Sequence, residues 1–469
     1  MSPHATAAAA PDAAAGRVSV LANGLRVCAE AVPQYGRGLA AVALTVAAGG
    51  DDDPAGRHGT AHLVEHLMFP RSGPGAGDGG GHAALVEGAG GVCNAETHRD
   101  HTVFHTTVPA GLLPAVLAAE ARRLLGFAPT RDVIRTETAV IAEEIRGAGA
   151  GGRYWEAALD GLYPGSRDSF GTAAELDGIG ADEAERFQRA HYTPRRMVLS
   201  VVGDIDPARV TAAAHELFAP LGPPAAHGSG GSPARSRPPV PAPGPLPEIR
   251  TAPVPAPGPL PEIRTAPVPA PGPLLEIRTA PFPGPTPGVV IGHRLPDPVA
   301  ERPAYLAQVV LAQVLGRSRL PAVARSARDG HRLTSATVTC GYHGQWLASA
   351  APDLTLAVLG RAPGTGVDAA AGVWRSVLRA LADRPPSEAE HRRAVNSLLV
   401  AVHRQTDSLP ARAVALGRAA LLLPGSAGPD GLPEELRATT PAQVADAART
   451  LLDGPTTVTE LVAREGAAG

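Results

Sequence analysis

Short runs in which apolar and polar residues alternate open the chain. Residues 17–21 and 25–29 read as two strands joined by the turn signal Ala22-Asn23-Gly24, a β-hairpin. A longer apolar run over 38–47 ends in Gly49-Gly50-Asp51 and predicts a strand that leads into a loop. Further on, helical spacing dominates around 135–146. Periodicity then stops over 221–287, where Pro and Gly prevail and a 14-residue unit recurs three times, starting at Pro239, Pro253 and Pro267 and setting Arg250, Arg264 and Arg278 in register. Such a segment cannot bury a core and is expected to lie extended as a semi-rigid spacer, lengthened by repeat slippage; docking of a proline-binding partner is the other reading.

Patterning resumes with a strand over 288–293 and a helix over 304–315. Strands follow at 335–340 and 354–359, and helices at 372–381, 388–403 and 441–452. This order repeats that of the first half, so the chain reads as α+β with two similar domains, 17–220 and 288–469, each a mainly antiparallel β-sheet packed with α-helices. Residues 1–16, rich in Ala and Pro, are expected to be disordered.

A length of 469 residues suits two domains of about 200 residues each. With 44% hydrophobic and 19% charged residues the chain is expected to fold, and a net charge of −3 leaves no electrostatic footprint for nucleic acid or an acidic membrane. No apolar run reaches the roughly 18 residues of a membrane span. All 42 basic residues are arginine, which fits a GC-rich bacterial genome. Cys28, Cys93 and Cys340 are odd in number and widely separated, unlike a disulfide framework or a thiolate metal site. Residues 1–16 also lack the basic and apolar regions of a secretory signal, so the cytoplasm is expected.

The chemistry concentrates in His62-Leu63-Val64-Glu65-His66. On a helix, residues four apart share a face, so both imidazoles can reach one metal ion. Glu65, one residue before the second histidine, stands where a carboxylate can take a proton from water on the open side of that ion. A catalytic zinc site needs a third protein ligand. Residues 135–146 offer candidates: Glu137, Ile141 and Glu144 fall on one helical face, with a ligand and a supporting carboxylate two turns apart. Glu143 competes with Glu144 for the ligand role.

These features resemble the inverzincin peptidases, the family of pitrilysin, insulin-degrading enzyme and the mitochondrial processing peptidase. The resemblance runs through the first half in order: Leu21-Ala22-Asn23-Gly24-Leu25-Arg26-Val27, the HLVEH helix, Gly91-Val92-Cys93-Asn94-Ala95-Glu96-Thr97, then Asp100, Thr102 and Phe104, VIAEEIRG, Tyr192-Thr193-Pro194 and Val201-Val202-Gly203-Asp204. It implies a processing-peptidase-like metallohydrolase fold and one Zn2+ held by His62, His66 and Glu144. It further implies Glu65 as general base, Glu137 as supporting carboxylate, and peptide substrate added along the strand of Asn94, Ala95 and Thr97 by backbone hydrogen bonds, with Asn94 orienting the substrate backbone. Glu144 is preferred to Glu143 because the family's seven-residue spacing between carboxylates is met by Glu137 and Glu144. His98, His101 and His105 suggest a second metal or, on the plainer reading, exposed strand histidines. The Gly-rich stretch 70–82 reads as a mobile lid or a variable surface loop.

The second half resembles the family's non-catalytic domain at Val289-Val290-Ile291-Gly292-His293-Arg294-Leu295-Pro296 and has no H-x-x-E-H. Active single-subunit relatives hold the substrate carbonyl with an Arg and Tyr pair late in such a domain. Here Arg412 matches the arginine, but no tyrosine follows Tyr342. The resemblance therefore implies a zinc endopeptidase acting on short or unfolded peptides, with a second homologous subunit in a heterodimer supplying that pair. The alternatives are a catalytically silent structural subunit or a peptide-binding module.

Overall fold

A computed structural model describes residues 18–69, 81–147, 149–222, 276–279, 281–284, 286–326 and 333–463. The expected disordered N-terminus, residues 70–80 of the Gly-rich stretch and the first two repeat copies lie outside these residues.

The first sheet is built from β1 (Val18–Val20), β2 (Arg26–Ala31), β3 (Leu39–Val46), β4 (Val92–Thr97), β5 (Thr102–Pro109) and β6 (Met197–Gly203), in spatial order β1-β2-β6-β3-β5-β4. The second holds β7 (Glu276–Arg278), β8 (Phe282–Gly284), β9 (Gly288–Arg294), β10 (Leu333–Cys340), β11 (Leu354–Arg361) and β12 (Thr456–Ala463), ordered β10-β11-β9-β12-β7 with β8 also on β12. Pairing is antiparallel except between β2 and β6 and where β7 and β8 meet β12. The principal helices of the first half are α1 (Thr60–Met68), α2 (His82–Gly88), α3 (Leu113–Leu125), α4 (Arg131–Gly147), α5 (Gly149–Leu162), α6 (Ala181–His191) and α7 (Pro207–Phe218). Those of the second half are α8 (Arg302–Val314), α9 (Val367–Asp383), α10 (Glu388–Thr406), α11 (Leu409–Leu422), α12 (Gly428–Arg437) and α13 (Pro441–Asp453).

After Leu39, β3 is buried on both faces, which explains its unbroken apolar sequence. Val42, Leu44 and Val46 face one core with Leu63, Val64, Ile134 and Ile141. The small Ala41 and Ala43 face the other way, where Leu409 and Ala413 of α11 pack on them. A helix from the second half thus covers the back of the first sheet. The exchange is mutual: Trp155, Ala158, Leu159 and Leu162 of α5 pack on Val290, Leu354, Leu356 and Leu461 of the second sheet. Both crossings depend on a glycine. A Cβ on Gly417 would fall 2.3 Å from Thr45 Oγ1, and one on Gly161 would fall 2.6 Å from Thr457 Cγ2.

The stretch expected to be spacer as far as 287 departs from that reading at its end. Glu276–Arg278 and Phe282–Gly284 join the second sheet through β12. The third repeat copy carries Leu275 where the first two have Pro247 and Pro261.

Candidate metal centre

Helix α1 begins at Gly59, whose φ of +94° and crowding by Leu176 and Phe170 favour a residue without a side chain. Asp53, six residues before it, accepts hydrogen bonds from the Gly59 and Ala61 amides at 2.7 and 2.8 Å, so the first turn is capped from outside the helix. His58 bridges Asp53 Oδ2 (3.1 Å) and Asp168 Oδ1 (3.4 Å), which ties the start of α1 to the loop that carries Phe170. The ring of Phe170 meets that of His62 edge-on at 5.5 Å.

Burial alone would lower the pKa of His58, yet the hydrogen bonds to Asp168 and Asp53 raise it from 6.5 to about 9 against the opposing charge of Arg167. A group whose folded pKa is raised contributes stability that is complete below its unfolded value near 6.5 and disappears as pH climbs through about 9. Denaturant titrations between about pH 6 and pH 10 are expected to show unfolding free energy falling across that window, and a flatter profile for His58→Gln. Identical slopes for the two proteins would contradict the assignment.

The imidazoles of His62 and His66 stand 4.9 Å apart between ring centroids. Glu144 of α4 places Oε2 3.5 Å from Nε2 of each. The three candidate ligand atoms lie within 4.8 Å of one another, and this is the one such His/Cys/Asp/Glu group among the described residues. Glu137, two turns before Glu144 and 3% exposed within an apolar stripe of α4, accepts from His66 Nδ1 at 3.1 Å. That contact turns the Nε2 lone pair of His66 towards Glu144. Glu143, the competitor, faces solvent and pairs with Arg146.

Burial would depress the His62 pKa, but its hydrogen bond to the Glu144 carboxylate and the charges of Glu65 and Glu144 drive it upward. Two imidazole nitrogens and a carboxylate oxygen, in a pocket whose surplus charge is negative, fit a divalent cation with three protein ligands.

Thr97 Oγ1 donates to Glu65 Oε2 at 2.5 Å, and the Glu65 charge acts on the His62 ring. Thr97 ends β4, which lies at the margin of the first sheet and pairs only with β5 among the described residues. Asn94 is exposed on β4, and Ala95 is half-buried against the core. The strand side chains alternate between exposed and half-covered, as on a sheet edge.

Four sequence-based expectations change. His98 and His101 are not exposed: they are buried, stacked at 4.4 Å, and contacted by Arg418. His105 is half-buried on β5 opposite Asn94, and none of the three belongs to a second metal cluster among the described residues. His82, placed in the lid, instead starts α2 and is buried on Glu120 at 2.9 Å. Arg412, matched to the substrate-binding arginine, is held by Glu30 and Asp430.

The sequence alone does not bring Thr97 to Glu65, Asp53 to the cap of α1, or Phe170 to His62. A threonine three residues past Asn94 was the only signal available for the first. The other two arise from contacts that leave no local pattern.

The profile described as Insulinase (Peptidase family M16) matches residues 34–147, and that described as Peptidase M16 inactive domain matches 178–398. The chain belongs to the M16 peptidase family. An "uncharacterized zinc protease" of Mycobacterium tuberculosis is 31% identical over 211 residues, 44% of this chain and 47% of that protein. A "probable mitochondrial-processing peptidase subunit beta" of Arabidopsis thaliana is 28% identical over 215 residues, 44% of this chain and 39% of that protein. The match therefore takes in less than half the length of these relatives. A protease structure from Helicobacter pylori superposes with a TM-score of 0.71 at 17% identity, over 95% of this M16 chain and 98% of the other, and shows the shared two-domain fold. No described helix is long and apolar enough to cross a membrane.

Proposed function

We propose that the chain is the catalytic subunit of a zinc-dependent endopeptidase that hydrolyses short or unfolded peptides, including maturation of a precursor peptide. The observation that carries this reading is the approach of His62, His66 and Glu144 within 4.8 Å, with Glu65 on the same helix and Glu137 behind His66. His62, His66 and Glu144 would hold the zinc. When bound, the ion supplies Lewis acidity, polarising a peptide carbonyl and lowering the pKa of water.

The rest falls to the chain's own groups. Glu65 removes a proton from the attacking water and delivers it to the leaving amine. The Thr97 hydroxyl, donating to one Glu65 oxygen, fixes the carboxylate and leaves the second oxygen for that proton. Substrate adds along the outer side of β4 through backbone hydrogen bonds, with Asn94, Ala95 and Thr97 beside it; this mode tolerates many sequences. Because Arg412 is engaged by two carboxylates and no tyrosine follows Tyr342, a second homologous subunit supplies the Arg and Tyr pair in a heterodimer. Cys28, Cys93 and Cys340, none of them in a disulfide, suit a reducing cytoplasm.

A silent, peptide-holding subunit is the competing reading, favoured by the match of 178–398 to the inactive-domain profile. Mass spectrometry of a peptide library incubated with the zinc-loaded chain, alone and with a co-expressed homologous subunit, separates the two. Cleavage that a chelator stops and added zinc restores is expected. Intact peptides in both mixtures would favour the silent subunit.

A further inference from the structure

The turn between β4 and β5 is gripped by the second half of the chain from two directions. From α11, Arg418 extends its guanidinium over the turn. Its Nη2 lies 3.0 Å from Glu96 Oε2 and 2.8 Å from His98 Nε2, and its Nε donates to His101 Nε2 at 3.0 Å. From the 350–352 segment, the Ala350 and Ala351 amides donate to Asp100 Oδ2 at 2.7 and 3.0 Å, and the Pro352 carbonyl accepts from Arg99 at 2.6 Å. His98 and His101 stack nearly parallel, 7° apart, and both meet the guanidinium through Nε2.

The partners of His101 fix its tautomer. His101 Nε2 accepts from Arg418, so its proton sits on Nδ1 and goes to Asp100 Oδ1 at 2.8 Å. Burial, with the neighbouring His98, keeps the His101 pKa down at about 3, in accord with a neutral ring. Arginine presents a planar fork that spans Glu96, His98 and His101 at once; a lysine ammonium on a flexible stem does not reproduce it.

Glu96 and Thr97 are adjacent on β4, so whatever fixes one side chain fixes the backbone that carries the other. Thr97 is the residue whose hydroxyl rests on Glu65, and its carbonyl accepts from Ser169 at 2.8 Å. A margin strand paired on one side frays readily unless something holds its end.

We propose that Arg418 is a positioning residue: by clasping Glu96, His98 and His101 from the second half, it holds the end of β4 against α1 and keeps the Thr97 hydroxyl on Glu65. This rests on the reading of Glu65 as the base. It gives the half without H-x-x-E-H a direct part in the geometry of the site.

The test uses the full chain, in whichever assembly cleaves peptides, with Arg418→Met, Arg418→Lys, Thr97→Val and the Arg418→Met/Thr97→Val double variant. Each single variant is expected to lower kcat by about 10- to 100-fold with zinc content and KM nearly unchanged. The double variant is expected to be no slower than the worse single one, because both break the same link. Arg418→Lys recovers only part of the loss, and it replaces Arg418→Met in the cycle should the latter fail to fold. Fully multiplicative losses would overturn the proposal and leave Arg418 a general support of the fold. Hydrogen exchange gives a readout independent of activity: amides of 92–97 are expected to exchange faster in Arg418→Met while those of β9 and β11 stay as in the wild type. Unchanged exchange at 92–97 would sink the clasp whatever the activity. Faster exchange in a protein that cleaves nothing in any form would sink the catalytic reading alone.

Discussion

Glu65→Gln is expected to lower turnover by at least about 100-fold while the protein keeps its metal, its fold and its affinity for peptide. The side chains differ by one group, and a glutamine amide oxygen can still accept from Thr97, so the local hydrogen bonding is retained. His62, His66 and Glu144 are untouched by the change. What disappears is an oxygen able to take up a proton and release it again. Single-turnover kinetics together with elemental analysis read both halves of this expectation. A Glu65→Gln protein that turns over at the wild-type rate would remove Glu65 from the chemistry, and one that has lost its metal would make it a structural residue.

His66→Ala is expected to act one step earlier, by preventing metal retention. Two consequences follow from its position between two carboxylates. Glu144 loses one of the two imidazoles it approaches at 3.5 Å, leaving two protein ligands where a stable catalytic site takes three. Glu137, 3% exposed, loses its contact at 3.1 Å in an apolar surrounding, which costs about 2 kcal/mol for a buried acceptor left without a donor. Loss of zinc, loss of hydrolysis and a lower melting temperature should therefore appear together. Full zinc occupancy in His66→Ala would show that the ion, if present, is held elsewhere.

Much of this centre was legible in the sequence because its spacing is local. His62 and His66 sit four apart on α1, and Glu137 and Glu144 sit seven apart on α4, so helical geometry alone brings each pair onto one face. The hairpin of β1 and β2 and the long buried β3 were also readable from apolar runs and the Asn23-Gly24 turn. The contents of α11 were not. Its residues are apolar nearly all round, and nothing in 409–422 says that it lies on the sheet of the opposite half. The same long-range packing misled the reading of His98 and His101, which look like solvent-facing strand residues until Arg418, some 320 positions later, is laid across them. The end of the Pro-rich stretch reads as spacer for the opposite reason: the composition around it outweighs the short local run Glu276-Ile277-Arg278 that pairs with β12.

The claim on which the account stands is that His62, His66 and Glu144 together hold one zinc ion. Anomalous diffraction from crystals of the zinc-loaded chain, collected on either side of the zinc absorption edge, tests it directly. A single strong peak bounded by the two Nε2 atoms and the Glu144 carboxylate, with an open side towards Glu65, is the expected map. A peak at other residues, or none between these three in zinc-saturated protein, would contradict it.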